Sequence, residues 1–144
     1  MNKKIVLASK SNVRKNILEN NGLNCIVKPA NIDEETVKES LIREGATPLL
    51  ISKNLAELKA NKISESLNEE VVIGADSVID LDGHIISKPS SRKEAMEILK
   101  KLNGKIHYLI SSVCVSKNGQ MIWNYTDKAS LTMKNMSNSD LEEY

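Results

Sequence analysis

Residues 71–79, Val-Val-Ile-Gly-Ala-Asp-Ser-Val-Ile, are the stretch on which the fold prediction rests. Residues 71–73 are β-branched and uncharged, which is typical of a buried central strand. The polar segment 74–77 follows this run, and a second β-rich stretch begins at Val78. Ligand sites in α/β sheets gather at the carboxyl ends of strands. The stretch therefore predicts a strand that ends by delivering one carboxylate, Asp76, to such a site.

Segments typical of strands and helices alternate on both sides of this stretch. Those before it are a strand at 5–8, a helix from Val13 to about Gly22, a short strand at 25–27 and a helix that starts at Thr47-Pro48. Those after it are a hairpin turn at Asp82-Gly83, a helix from Ser91 to Asn103-Gly104, a strand at 107–115, a turn at Asn118-Gly119, strand segments at 121–126 and 130–133, and a new helix from 137. This alternation predicts an α/β fold.

Composition limits the class of protein. The chain has 144 residues, which predicts one domain or two small lobes around one core. Its 40% hydrophobic and 27% charged residues are typical of a globular domain. A net charge of +1 disfavours a protein that coats nucleic acid. No apolar segment approaches the length of a membrane span, so we expect neither nucleic acid nor membrane as a partner.

The number and spacing of the cysteines and histidines limit the disulfides and metal sites that the chain can form. Cys25 and Cys114 are isolated, which argues against a disulfide framework or a thiolate zinc site and predicts a reducing, cytoplasmic location. With only His84 and His107, a histidine-rich metal site is not expected. Any metal would be a hard cation held by carboxylates and substrate phosphates. The sequence also lacks the P-loop, dinucleotide-binding and nucleophile-elbow motifs.

The first candidate site lies where the opening strand meets its helix. Ser9 and Ser11 lie in the polar turn after the strand, and Arg14 follows in the first helical turn. Hydroxyls, free backbone N–H groups and an arginine suit a phosphate. The alternative is simple helix capping by Ser11 or Asn12, which is the more common role of such residues.

Four further positions carry the same ambiguity. Asp76 could bind a metal or activate water, or it could be a turn aspartate that bonds its own backbone. Lys88, which precedes a proline, and Lys59 could each meet a phosphate, or they could be surface lysines. The acidic run 33–35 could supply a metal ligand, although such a run is more often a solvated loop.

Taken in order, six segments resemble the motifs of the Maf family of nucleoside triphosphate pyrophosphatases. They are 7–11 with Arg14-Lys15, the acidic 32–34, Leu55-Ala56 with Lys59-Ala60, Gly-Ala-Asp-Ser at 74–77, Lys88-Pro89, and 102–105 with His107 and Ser111. Each motif alone is unspecific. The collinear order of six motifs over almost the entire chain is what makes the resemblance strong.

The resemblance implies a two-lobed mixed sheet flanked by helices, with a central nucleotide cleft, as in inosine triphosphatase-like folds. It implies hydrolysis of a nucleoside triphosphate to a monophosphate and pyrophosphate with Mg²⁺ or Mn²⁺, in the cytoplasm. Asp76 would be the catalytic acid–base residue and, with Glu34, a metal ligand. The phosphates would be bound by Ser9, Arg14, Lys59 and Lys88. Such chemistry needs charge stabilisation and positioning more than covalent catalysis.

The chain also departs from the family pattern. Val13 stands where many members carry an arginine, which weakens assignment to the dTTP/UTP subgroup without assigning the 7-methyl-GTP subgroup. Asn12 replaces a common proline. We expect a single Maf-like domain at 1–144 that lacks the family's C-terminal segment. The sequence does not decide the oligomeric state, and a homodimer is one alternative.

Two functions compete at this point. One is a pyrophosphatase that cleans the nucleotide pool, and the other is a non-catalytic nucleotide-binding regulator, which the family's association with cell-division arrest keeps open. The presence of Asp76, Glu34 and Lys88 favours the enzyme, since a pure binder would not need the carboxylates. For stacking on a base, the sequence offers only Trp123, Tyr108 and Tyr125 as candidates.

Overall fold

The computed structural model describes residues 5–143 as one mixed sheet with helices around it. The strands of this part are β1 (Ile5–Leu7), β2 (Cys25–Val27), β3 (Val72–Leu81), β4 (His84–Ile86), β5 (Ile106–Lys117) and β6 (Gln120–Thr132). Its helices are α1 (Asn12–Asn20), α2 (Glu34–Arg43), α3 (Pro48–Glu65), α4 (Arg92–Leu102) and α5 (Asn138–Glu143). Across 5–143, no helix combines the length and hydrophobicity needed to cross a bilayer.

Strand β3 is the centre of the sheet and divides it into two lobes. The strand order is β2-β1-β3-β5-β6, and β4 pairs separately with β3. Strand β5 runs antiparallel to residues 72–80 and occupies one whole edge of β3. The other edge is shared, because β1 pairs in parallel with Val72 and Ile73 while β4 pairs from Ile79 onward. Residues 74–78 therefore face a gap between the two lobes.

The α/β class is confirmed, and the strands and helices follow the predicted order except for α2, which was not expected. The two lobes lie on either side of this gap. The prediction that a strand ends before Asp76 is wrong. Strand β3 continues through 74–77, because β5 supplies a pairing partner for each of these residues. Asp76 is thus a mid-strand residue whose neighbourhood is open only because β1 stops short and β4 starts late.

The acidic run at 33–35 is not the loop that was expected. The Asp33 side chain accepts a hydrogen bond from the backbone N–H of Thr36 and caps α2, which begins at Glu34. Carboxylates in a first helical turn interact favourably with the positive end of the helix dipole. The run is therefore a helix start, and it fixes the direction in which Glu34 leaves the backbone.

Helix α3 covers one face of the sheet and contacts β3 closely at Gly74. Buried Ala56 and Ala60 of α3 join Val72 and Cys114 in the core. Burial raises the pKa of the Cys114 thiol to about 11. A Cβ built on Gly74 would lie 2.3 Å from the carbonyl oxygen of Ala56 and 2.7 Å from the backbone nitrogen of Ala60. Glycine at 74 is therefore what allows α3, with Lys59, to approach Asp76.

We expect Gly74→Ala to lower the free energy of unfolding by at least about 1–3 kcal/mol, the usual cost of overpacking. Urea denaturation monitored by circular dichroism measures this. The two closest collisions are with backbone atoms, and only the third, at 2.9 Å, is with the Cβ of Ala60, so Ala60→Gly should not fully restore stability in the double variant. Full recovery in that double variant, or wild-type stability of Gly74→Ala, would contradict the close approach of α3.

Candidate active site

A cavity of about 930 Å³ opens at the gap along β3. It is lined from the first lobe by the segment after β1 and the start of α2, and from the second lobe by β4 and the segment that follows it. All six residues proposed from the sequence line this cavity: Ser9, Arg14, Glu34, Lys59, Asp76 and Lys88. They come from five separate parts of the chain, and the fold brings them together at one place.

Asp76, Lys59 and Glu34 form a charged cluster at the floor of the cavity. The ammonium of Lys59 lies 3.2 Å from Oδ1 of Asp76 and 2.7 Å from Oε1 of Glu34. It also donates to the carbonyl oxygen of Ala75 at 3.4 Å. The Lys59 side chain is only 12% exposed, so it is not the surface lysine of the alternative interpretation. One buried cation thus holds two carboxylates from different elements close together.

The two carboxylates have opposite pKa shifts. Burial raises the pKa of Asp76 above its ordinary value, and this effect outweighs the opposing hydrogen bond and charge of Lys59. Partial burial acts in the same direction on Glu34. There, however, the hydrogen bond and charge of Lys59, together with the charges of Lys38 and Arg14, lower the pKa overall. Asp76 is therefore the stronger base of the pair.

Asp76 also has an unused acceptor. Its Oδ2 is buried and accepts no hydrogen bond from any described residue. Buried carboxylate oxygens normally have partners, so an unpartnered one beside a cavity is a site for a ligand atom. A metal-bound or free water, or a cation, would satisfy it.

The residues of the first phosphate-type candidate lie together and are joined by hydrogen bonds, and the helix capping of the alternative interpretation occurs there too. Ser11 caps α1 by accepting from the backbone N–H of Arg14. The guanidinium of Arg14 donates through Nη1 to Ser9 Oγ at 3.1 Å and to the Ala75 carbonyl at 3.3 Å. Its Nη2 reaches Ser77 Oγ at 3.5 Å. Ser9 is buried, and Arg14 thereby ties α1 to the middle of β3.

The second lobe contributes one exposed cation and several aliphatic side chains to the lining of the cavity. Lys88 lies beyond β4 and is exposed, with its neighbours Ser87 and Pro89 also at the cavity. Aliphatic side chains of this lobe also line the cavity, among them Ile79, Ile85, Ile98 and Leu109. The cavity therefore has cations on both lobes and an apolar patch on one.

The aromatic residues considered for base stacking do not take part. Trp123, Tyr108 and Tyr125 are not among the residues that line the cavity. Trp123 and Tyr125 stack on each other, with ring centroids 6.2 Å apart, and both are more than half exposed. Tyr108 lies under the ammonium of Lys128.

Sequence reasoning missed a buried chain of hydroxyls behind Asp76. Ser52 Oγ lies 3.1 Å from the carbonyl oxygen of Asp76 and 3.0 Å from Ser112 Oγ, which in turn lies 3.0 Å from Thr126 Oγ1. Ser52 is the donor in both of its contacts and shares its single proton between the Asp76 carbonyl and Ser112 Oγ, while either hydroxyl of the Ser112–Thr126 pair can donate. These hydrogen-bonded hydroxyls connect the backbone of Asp76 to α3 and β6. Three isolated hydroxyl residues on separate elements leave no local signal in the sequence.

Lys38 of α2 was also missed. Its side chain is 15% exposed and lines the cavity. One helical turn separates it from Glu34. Because the acidic run was expected to be a loop, no pattern placed the two side chains on one face.

The carboxylate donors suit a hard cation that is shared with a ligand. Within 5–143, no group of three or more Cys, His, Asp or Glu side chains could hold a metal ion by itself. Glu34 and the unpartnered Oδ2 of Asp76 offer oxygen donors, which Mg²⁺ takes together with substrate phosphates and water. The residues present therefore fit a divalent cation that binds with a phosphorylated ligand.

Known proteins resemble this chain over its full length. Residues 4–144 match the family model described as Maf-like protein. A protein of Pelagibacter ubique named nucleoside triphosphate pyrophosphatase is 67% identical over 144 residues, which are 100% of this chain and 74% of the relative. A Brucella abortus protein named 7-methyl-GTP pyrophosphatase is 37% identical over 144 residues, which cover 100% of this chain and 72% of the relative.

Solved structures share the fold at low sequence identity. The Ham1 protein of Staphylococcus aureus matches 90% of this chain and 70% of its own, with a TM-score of 0.54 and 18% identity. A dITP/XTP pyrophosphatase of Mycobacterium abscessus matches 90% of this chain and 73% of its own, with a TM-score of 0.55 and 12% identity. The family match over nearly all residues, together with the close relatives, shows that the chain belongs to the Maf family.

Proposed function

We propose that residues 1–144 form a single Maf-like domain that hydrolyses a nucleoside triphosphate to a nucleoside monophosphate and pyrophosphate. The observation that carries the proposal is the unpartnered, buried Oδ2 of Asp76, which lies in a cavity lined by cations. The names of the relatives from Pelagibacter and Brucella support the same reaction class.

Asp76 acts as the general base in this proposal. It accepts a proton from a water molecule, whose oxygen forms a new bond to phosphorus while the α–β phosphoanhydride bond breaks. The bridging oxygen leaves with one of the two products. A carboxylate whose pKa is raised accepts that proton more readily than an ordinary aspartate does.

The surrounding cations bind and orient the phosphates. Arg14 and Ser9 present a guanidinium and a hydroxyl from the first lobe, Lys59 lies at the floor, and Lys88 approaches from the second lobe. A triphosphate that bridges the gap would bring the lobes together around it. Positioning and charge stabilisation are the main requirements of phosphoanhydride cleavage.

Glu34 and Asp76 would hold Mg²⁺ or Mn²⁺ together with the substrate phosphates. When bound, such a cation would neutralise part of the negative charge on the phosphate oxygens. The aliphatic residues of the second lobe would accept the nucleobase, without aromatic stacking from Trp123, Tyr108 or Tyr125. We further propose a cytoplasmic location, since both cysteines are free thiols.

The alternative of a non-catalytic nucleotide-binding regulator makes a different prediction for the carboxylates. A binder of anionic phosphates that takes no cation gains nothing from Glu34 and Asp76 beside the ligand, since like charges repel. Their close approach at Lys59 favours catalysis over binding alone.

A nucleotide panel tests the proposal. Pyrophosphate release is measured from dTTP, UTP, CTP, GTP and 7-methyl-GTP, with Mg²⁺ or Mn²⁺ and with a chelator as the control. The proposal expects pyrophosphate from at least one nucleotide, abolished by chelation. Nucleotide binding without release of any product would favour the regulator.

The pH dependence of kcat/KM follows from the raised pKa of Asp76. Protonated Asp76 cannot accept a proton, so activity should be present above its pKa and fall as the pH decreases through it. We expect the acid limb to have its midpoint above 3.8, the ordinary value for aspartate. A steady-state profile at constant ionic strength measures it. A midpoint at or below that value would contradict the role of buried Asp76 as the base.

A further inference from the structure

Lys38 is a largely buried cation with weak pairing inside the protein. Its side chain is 15% exposed, and its ammonium lies 3.9 Å from Oε1 of Glu35. That separation is at the outer limit of an ion pair, and the Glu35 side chain is 70% exposed. Such pairs contribute little, because water screens the charges. The desolvation of Lys38 is therefore poorly compensated by Glu35 alone.

The charge of Lys38 acts inside the cavity. It follows Glu34 by four residues on α2, so both side chains lie on the same face of that helix. Lys38 is among the lining residues, and its charge lowers the pKa of both Glu34 and Asp76. The ammonium is thus close enough to the carboxylates to influence both, although neither of them pairs with it directly.

We propose that Lys38 is a further phosphate-binding residue, whose ammonium pairs with the polyphosphate part of the substrate and with the pyrophosphate product. This inference rests on the proposed function for its ligand. An anion with several charges would provide the partner that Glu35 does not, and α2 would then contribute a cation to the site in addition to Glu34.

Binding of inorganic pyrophosphate tests this role without requiring turnover. Titration calorimetry with Mg²⁺ present compares wild type, Lys38→Met and Lys38→Arg. Loss of a charge-assisted contact should weaken binding by about tenfold or more, and arginine should restore most of the affinity. Lys15→Met is the matched control, since Lys15 has the same kind of 3.9 Å helical pair, with Glu19, but does not line the cavity. That control should bind like wild type.

Several results would overturn the inference. They are wild-type affinity in a folded Lys38→Met protein, equal weakening by Lys15→Met, and no binding of pyrophosphate by the wild type. Lys38→Gln carries the same test if the methionine variant does not fold. A failure of the proposed hydrolase function would be distinguishable from a failure of this inference. If wild type binds pyrophosphate through Lys38 but hydrolyses no nucleotide, the contact stands and the hydrolase does not.

Discussion

Asp76→Asn should abolish turnover while the protein stays folded and still binds nucleotide. The amide keeps the shape of the side chain but cannot accept a proton from water, and general-base catalysis contributes about 10²–10⁴-fold. We therefore expect kcat to fall by about 10³-fold or more. Lys59 keeps its 2.7 Å pair with Glu34, so its charge remains compensated. Steady-state kinetics, with circular dichroism for the fold, measures both parts.

Asp127→Asn is the matched control for this substitution. Asp127 lies on exposed β6, where its side chain accepts from the backbone N–H of Lys128, and it does not line the cavity. The control should keep wild-type kcat. Comparable turnover by a folded Asp76→Asn protein would remove Asp76 as the base.

Lys59→Met should cost both stability and activity. Lys59 lies between Asp76 and Glu34, and its removal leaves two carboxylates facing each other, one of them buried. Breaking a buried pair by removing one partner costs about 3–5 kcal/mol, and we expect a loss near the lower end because Glu34 is partly exposed. The pKa of Asp76 should rise further, which moves the acid limb of kcat/KM to higher pH.

The loss of stability caused by Lys59→Met should depend on pH and be larger at neutral pH than in acid. The lowered pKa of Glu34 stabilises the folded protein above the ordinary glutamate pKa, and this contribution disappears as the pH falls through the folded value. Urea denaturation should therefore separate wild type and Lys59→Met most near neutral pH and least in acid. Lys62→Met, on the same helix but outside the cavity, loses a hydrogen bond to the Asn31 carbonyl and no carboxylate partner, so its stability difference should not vary with pH and the acid limb should not move. A pH-independent difference would contradict the bridging role of Lys59.

The sequence predicts those features that depend on short-range signals. Thr47-Pro48 begins α3, Ser91 caps α4, and the turns at Asp82-Gly83 and Asn118-Gly119 close hairpins, all as expected. Capping and turn formation need only neighbouring residues, so their patterns are visible in the chain.

Features that depend on distant partners were wrong or missed. Asp76 was expected at a strand end, yet its strand continues because Ser112, far along the chain, pairs with it. The acidic run gave no clue to α2, so Lys38 went unnoticed. Val13 and Ile17 have helical spacing in the sequence, yet both are more than half exposed on α1. Pairing, burial and charge compensation are decided by residues that meet only after folding.

Phosphorus NMR of one nucleotide with the wild-type protein and Mg²⁺ tests the central claim most directly. Cleavage at the α–β bond predicts that the resonances of the monophosphate and of pyrophosphate grow together in equal amounts, with no diphosphate. With the Asp76→Asn protein, the triphosphate resonances should stay constant and no product resonances should appear. Growth of nucleoside diphosphate and orthophosphate, or a triphosphate that binds and stays intact, would contradict the assignment of this cavity as a pyrophosphatase site.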